Sequence, residues 1–375
     1  MKRIGFFLFS AALIFTFLPS ASADTSVINL SSKPHQLFDG TFRNDELAND
    51  LLSTGVLGKA IEQKRFGNRT WVIDGELLDE VASMAAGYKL ADGTEPTGQL
   101  IAKEWLSRLM LVTSGDQVIA LPYGNPDIAL VKRVAPSEFR LYSDYGKARV
   151  VFHLNRKISE ESGSGWSVGT SRLSNLQLRK YAQNRQVLTA ISTVVTSEEV
   201  AAQRAKLAVL LSPMLSKSDR VFFSENVSES VAKTVLKLRV ANGKYQISSQ
   251  SGKIPVTVIN KFDKPVVINI KLTPLNSRVQ VTNIEGLQVP ANSHIQLALP
   301  FTAIAPGATT VIAQITNGKG LFIGPAARFY LNINIFDSKV TWFTIGAAIL
   351  LFIAALTQTV RRIRKGRKED LVKNQ

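Results

Sequence analysis

The sequence predicts an α/β domain of parallel β/α units, then an all-β immunoglobulin-like sandwich, then one transmembrane helix. Three observations predict it. Residues Val340 to Val360 carry no charge, and six of the eight residues that follow are Arg or Lys. As a helix rising ~1.5 Å per residue, that run spans roughly 31 Å, about one hydrocarbon core. Apolar strand, turn and helix patterns follow one another twice between residues 70 and 134, the order of parallel β/α units. From residue 252 to 336 the pattern turns alternating, β-branched and helix-poor, as in a sandwich.

The chain opens with Lys2 and Arg3, an apolar run from Ile4 to Leu18, then Pro19 and the Ala21-Ser22-Ala23 triplet. This order is that of a cleaved secretory signal peptide, residues 1–23. The expected anchor is 340–360, with Trp342 at one interface and Arg361, Arg362, Arg364 and Lys365 on the other flank, which makes residues 361–375 a cytoplasmic tail. The bulk of the chain is therefore expected outside the cell membrane.

About 316 residues lie between signal and anchor, enough for two buried cores. The net charge of +16 divides into +2 on the signal, +5 on the tail and +9 between them. A basic exported surface suits anionic lipid headgroups or acidic wall polymers and makes nucleic acid a poor candidate partner. The chain has no cysteine, which excludes disulfides, thiolate metal sites and a cysteine nucleophile.

The α/β domain is expected over residues 24–243. TSVINL reads as an extended start, and NDELANDLLSTGVLGKAIEQ as a helix capped by Asn44 and interrupted at Gly55. Thr70 to Asp74 is a strand buried on both faces, and GELLDEVASMAAG a helix closed by Gly87. Gln99 to Val112 is helical, and Gln117 to Leu121 is a second buried strand. Asn125 is the expected cap of the next helix, with Pro126 at its first position and Asp127 at the positive end of its dipole. Such units build an open sheet or a reduced barrel.

FRLYS and RVVFHL read as short strands about a Tyr145-Gly146 turn, and residues 159–171, rich in Ser and Gly, as an exposed loop. Helices are expected over 173–195 and 197–216, the second opened by a Thr196/Glu199 capping box. The strand RVFFS (220–224) and a helix from Ser228 to Leu238 would form a third β/α unit. The sandwich is expected over 244–337, with about seven short strands separated by turns at Asp263-Lys264-Pro265, Pro290-Ala291-Asn292, Pro306-Gly307 and Asn317-Gly318.

LFDGTFRNDELANDL, TWVIDGELLDEVASMA, ADGT, TGQLIAKEWLSRL and VIALPYGNPD, ahead of GKIPVTVINKFDKPVVINIKL and the terminal anchor, carry a resemblance. The chain resembles the actinobacterial membrane proteins called DUF6049, and is short for them. The resemblance implies cell-envelope work, often beside an MviN-type lipid II flippase, and supplies no catalytic residues.

Ligands of parallel β/α folds gather at the carboxyl ends of strands, so Asp74, Tyr123, Asn125 and Asp127 are the candidate contact residues. Asp74 and Asp127 also fit plain helix-capping and dipole roles. Trp166, in the Gly-rich loop, is the aromatic most open to a ligand, whereas Trp71 and Trp105 have core spacing. His35, His153 and His294 show no metal-ligand spacing and read as surface or turn residues; no metal or cofactor is expected. A G-x-S-x-G elbow and phosphate-binding glycine patterns are absent. Two functions stay open. A non-catalytic envelope protein that binds or organises a partner of peptidoglycan-precursor export is favoured, because no dense polar cluster is evident. The alternative is a glycan-processing hydrolase using strand-end carboxylates.

Overall fold

A computed structural model describes residues 26–64, 67–335 and 338–372. The expected signal peptide and its cleavage site lie outside the described residues. The chain divides into two units. The first holds the described residues up to Arg172 together with 208–216, and the second holds 173–207 and the described residues from 217 on.

The first unit is organised by a parallel sheet. Strands β1 (Ser26–Leu30), β2 (Arg69–Asp74) and β3 (Gln117–Leu121) lie in the order β1-β2-β3, with Ile28 beside Trp71 and Trp71 beside Val118. Between β1 and β2 come α1 (Glu46–Leu51) and α2 (Val56–Glu62), separated at Gly55. The start of α1 has Asp45 at its cap position, and the Asn44 side-chain oxygen accepts from the Glu46 amide at 3.3 Å. Helices α3 (Gly75–Ala86) and α4 (Gln99–Val112) lead from β2 to β3, and α5 (Ile128–Val134) follows β3. All six side chains of β2 are buried. Trp71 and Ile73 pack with Leu77, Val81, Trp105 and Val118 on one face, while Val72, Ile119 and Leu121 form a small cluster on the other. This two-sided burial is why the strand reads as a continuous apolar run. The described strands form an open three-stranded sheet and no barrel.

Residues 139–154, expected as two strands, form one helix, α6 (Phe139–Leu154). Tyr142, Gly146, Val150 and Leu154 are its buried positions, a four-residue spacing that β-like composition obscured. Gly146 is where α6 meets the sheet: a Cβ there would lie 2.4 Å from the Leu121 carbonyl oxygen and 2.8 Å from the Tyr123 nitrogen. The expected turn glycine is thus a close-approach glycine.

In the second unit, α7 (Asn175–Ser192), α8 (Glu198–Lys206) and α9 (Lys217–Val235) precede the strands. The capping box sits at Ser174 and Gln177, and α8 is capped by Ser197 rather than Thr196. RVFFS belongs to α9, whose buried Arg220, Phe223, Val227, Val231 and Thr234 recur at helical spacing; the expected third β/α unit does not form. The Lys237 ammonium donates to both Glu199 carboxylate oxygens at 2.6 Å.

The sandwich starts earlier than expected, with β4 (Leu238–Val240) and β5 (Gly243–Ile247). Then come β6 (Ser251–Asn260), β7 (Val266–Pro274), β8 (Val279–Val281), β9 (Ile284–Val289), β10 (Ser293–Ala303), β11 (Gly307–Thr316) and β12 (Phe322–Ile333). They form a four-stranded sheet, β4-β6-β10-β8, and a five-stranded sheet, β5-β12-β11-β7-β9. Every pairing is antiparallel except β5 with β12. One core joins Val256, Val258 and Leu299 of the first sheet to Ile270, Val311 and Phe329 of the second, and takes in Ile191 and Val200 of the helices. That shared burial is why the unit begins at residue 173 and not at 244. Buried Asn260 ties the β6–β7 turn by donating to the Lys264 and Pro290 carbonyls, each at 2.9 Å.

The last element is α10 (Ser338–Val372). Its stretch Thr344–Arg362 has mean hydropathy 1.6 with none of that window buried in protein, and is long and apolar enough to cross a membrane. Trp342 is 80% exposed and Arg361 and Arg362 are exposed. The side chains of Arg364 and Lys365 lie outside those described.

Candidate functional site

The carboxyl ends of β2 and β3 meet through Asp74. Its side chain caps α3 by accepting from the Glu76 amide at 3.0 Å, and the same oxygen accepts from the Gly124 amide at 3.0 Å. Gly124 and Asn125 both have left-handed backbone, φ +73° and +43°, in the turn that ends at Asp127. Asp127, not Asn125, caps α5: one oxygen accepts from the Leu130 amide at 3.0 Å and the other from the Ser171 amide at 2.8 Å. Asn125 instead accepts from the Ser167 hydroxyl at 2.6 Å. Pro126 lies ahead of the helix.

The Gly-rich loop is therefore bound to this turn and not free. Gly163 crosses β3 so closely that a Cβ would sit 1.9 Å from the Ala120 carbonyl oxygen. Trp166 is half-buried over Val72, Ile119 and Leu121, covering the second face of the sheet. Trp71 and Trp105 are buried, and their ring nitrogens donate to Asp116 and the Leu57 carbonyl.

A dense polar cluster, absent from the sequence reading, surrounds the first turns of α3. Asp79 accepts from Arg149 Nε at 2.7 Å and from the Tyr123 hydroxyl at 2.9 Å, and lies 2.6 Å from His153 Nε2. Tyr123 stacks edge-on against Tyr145, and Arg149 lies 4.6 Å from the ring centre of exposed Phe152. On the other side of α3, Glu80 accepts from the His35 and Gln36 amides at 2.7 and 2.5 Å and faces His35 Nδ1 at 3.4 Å. His35 and His153 are thus carboxylate partners, not surface histidines; His294 alone is exposed.

Burial sets the charges. It pushes Asp74 up to about 7 against the two amides that favour its ionised form, with Glu80 and Asp79 adding repulsion. Asp79 is held below the usual carboxylate range, because the bonds from His153 and Arg149 outweigh its burial. Glu80 is lowered likewise, the His35 bond and charge outweighing burial. Burial, then the Asp79 charge, raises the Tyr123 phenol.

Of the residues expected at the site, Asp74, Tyr123, Asn125 and Asp127 come together at one sheet edge, at 1, 4, 3 and 7% exposure. Trp166 packs over the adjoining face. Glu76, Asp79, Glu80, His35, Arg149 and His153 were not anticipated. The signal for the acids was present, four in the seven residues DGELLDE. For Arg149 and His153 it was hidden by the strand reading, which sets them about 13 Å apart, against ~6 Å on a helix. Among the described residues no group of three or more His, Asp or Glu is arranged to hold a metal ion.

The described residues thus make two folded units, the second a β-sandwich followed by a helix long and apolar enough to cross a membrane. The chain belongs to the family of unknown function DUF6049, whose model matches residues 154–368, more than half of the 375. The WVID and ALPYGNPD blocks precede the matched residues. Among solved structures, WR4, a Caenorhabditis elegans MSP family member, is similar at 14% identity, covering 26% of this chain and 97% of its own, with a TM-score of 0.21. The Escherichia coli chaperone DraB aligns at 12% identity over 27% of this chain and 57% of its own, TM-score 0.20. A CARDB domain from Pyrococcus furiosus aligns at 12% identity over 26% and 94%, TM-score 0.21. No curated protein matches.

Proposed function

We propose that the chain is a single-pass membrane protein of the bacterial cell envelope. Its folded units lie outside the membrane, its basic tail lies inside, and its α/β unit binds or organises a partner without turnover. The observation that carries the non-catalytic part is burial: Asp74, Glu76 and Glu80 are 1, 2 and 1% exposed. Asp74 commits one oxygen, and Asp127 both, to backbone amides of their own helices and neighbouring loops, which suits a scaffold more than a site that must meet substrate. The family resemblance directs the partner toward peptidoglycan-precursor export, with an MviN-type lipid II flippase as one candidate. The charge of +9 between signal and anchor makes anionic wall polymers the other.

One observation favours the hydrolase alternative. Asp74 is held near neutrality while Asp79 is held ionised, the split that acid–base pairs need. Asp74→Asn, Asp79→Asn and a deletion, compared in the native host for envelope phenotype and for amount of folded protein, separate the readings. Under binding, each variant's phenotype follows how much of it folds. An Asp79→Asn protein present at wild-type level yet equivalent to the deletion overturns it in favour of catalysis.

A further inference from the structure

We infer that the anchor-proximal end of the sandwich is itself a membrane-contacting surface, seating Leu275 and Ile304 among lipid headgroups and upper acyl chains. The inference rests on the membrane-anchored reading. Strand β12 ends at Ile333 and α10 begins at Ser338, five Cα steps that span at most about 18 Å. Gly307, the first residue of β11, pairs directly with Ile333. The loop just ahead of it, 304–306, therefore belongs to the end of the sandwich that the chain tethers to the anchor.

That end carries an unusual pair of tips. Turn tips are ordinarily built from Gly, Asn, Asp, Ser and Pro, yet Leu275 is 62% and Ile304 60% exposed, on neighbouring loops. Both are held outward by backbone bonds. The Leu275 amide donates to the Thr310 carbonyl at 2.9 Å, and the Ile304 amide donates to the Arg278 carbonyl at 2.7 Å. Arg278 Nε in turn donates to the Pro306 carbonyl at 3.3 Å, joining the two loops. Arg278 itself is exposed, three residues after Leu275 and bonded to the loop that carries Ile304. Two exposed aliphatics and a guanidinium on one pair of bonded loops match the headgroup boundary, where apolar side chains enter the acyl region and a cation meets phosphate. Single exposed aliphatics need no explanation; two on bonded loops beside an anchor do. Leu321 and Phe322 are also exposed, but they sit at the opposite end, where they line a groove with Val187 and Ala190.

The absence of cysteine in the native chain makes a direct test available. Single cysteines at Ser277 (between the tips), Asn292 (opposite end) and Ile349 (within α10) are introduced into the full chain and labelled with an environment-sensitive fluorophore. The protein is reconstituted into phosphatidylcholine vesicles containing a lipid with a nitroxide high on its acyl chain. We expect quenching at 277 several-fold above that at 292, reduced to the 292 level by the double substitution Leu275→Asp/Ile304→Asp, with 349 quenched in both. Equal quenching at 277 and 292 with 349 quenched overturns the inference and leaves the anchor standing. No quenching at 349 removes the anchored reading and this inference with it.

Discussion

Asp74 Oδ1 lies 3.0 Å from the backbone nitrogen of Gly124, fifty residues on, while the same oxygen caps α3. One buried carboxyl oxygen thus joins the ends of two strands. Removing it in Asp74→Ala loses a helix cap and leaves a buried amide unsatisfied, so the first unit should lose about 2–4 kcal/mol in urea unfolding. Asp74→Asn keeps an acceptor in place and should cost less than ~1 kcal/mol. Equal losses in the two variants would show that the acceptor is not what matters.

The same residue predicts a pH dependence. The Asp74 carboxyl holds its proton up to about 7 when folded, against 3.8 for an ordinary aspartate. The folded state therefore binds this proton more tightly than the unfolded state. Its contribution is complete below about pH 4 and is lost as pH rises toward 7. Asp79 and Glu80, lowered in the folded state, act in the opposite sense, losing stability as pH falls below the ordinary carboxylate range, and they are present in both proteins. Subtracting the melting profile of Asp74→Asn from that of wild type should isolate the effect, with Asn gaining on Asp between pH 4 and 8. A flat difference refutes the assignment.

Asp79 holds Arg149 and His153 on α6 against α3, at side-chain exposures of 17, 24 and 9%. Removing one member leaves partly buried charge without its counterion. In a double-mutant cycle of Asp79→Asn with Arg149→Gln, the coupling should reach roughly 1–3 kcal/mol and persist in 1 M salt. Coupling below ~0.3 kcal/mol would reduce the pair to a surface contact.

Legibility in the sequence followed the range of the physics. Local signals were readable: the apolar run WVI marked a strand buried on both faces, and Asp74 marked the cap that follows it. The polar cluster was not, because it is built by tertiary contact between α3 and α6, and α6 was hidden by its β-branched and aromatic residues. Asp127 took the capping role expected of Asn125 because a left-handed backbone at Asn125 delays the helix by two residues. RVFFS looked like a strand in isolation, and its helical period is visible only when Val227, Val231 and Thr234 are read with it.

Gly146 gives a prediction that depends on shape alone. A methyl group there meets backbone atoms of Leu121 and Tyr123, which cannot rotate away. Although alanine favours helix over glycine by up to ~1 kcal/mol, Gly146→Ala should destabilise the first unit by about 1–3 kcal/mol. Its urea midpoint should fall, and a rise would mean that α6 can withdraw from the sheet.

Orientation is the remaining prediction, and it follows from charge. The apolar stretch Thr344–Arg362 is uncharged until its last two residues, and the basic residues from Arg361 onward are all on its C-terminal side. Under the positive-inside rule such a bias predicts a cytoplasmic basic flank and, with it, both folded units facing outward. Protease added to intact spheroplasts should therefore degrade everything ahead of the anchor, leaving a protected fragment of α10 and the tail. A tag at Gln375 should stay shielded until the membrane is permeabilised. The reverse pattern, with folded units protected and the tag cleaved, would place the α/β unit in the cytoplasm. It would also remove wall polymers from the set of candidate partners, since these lie only outside.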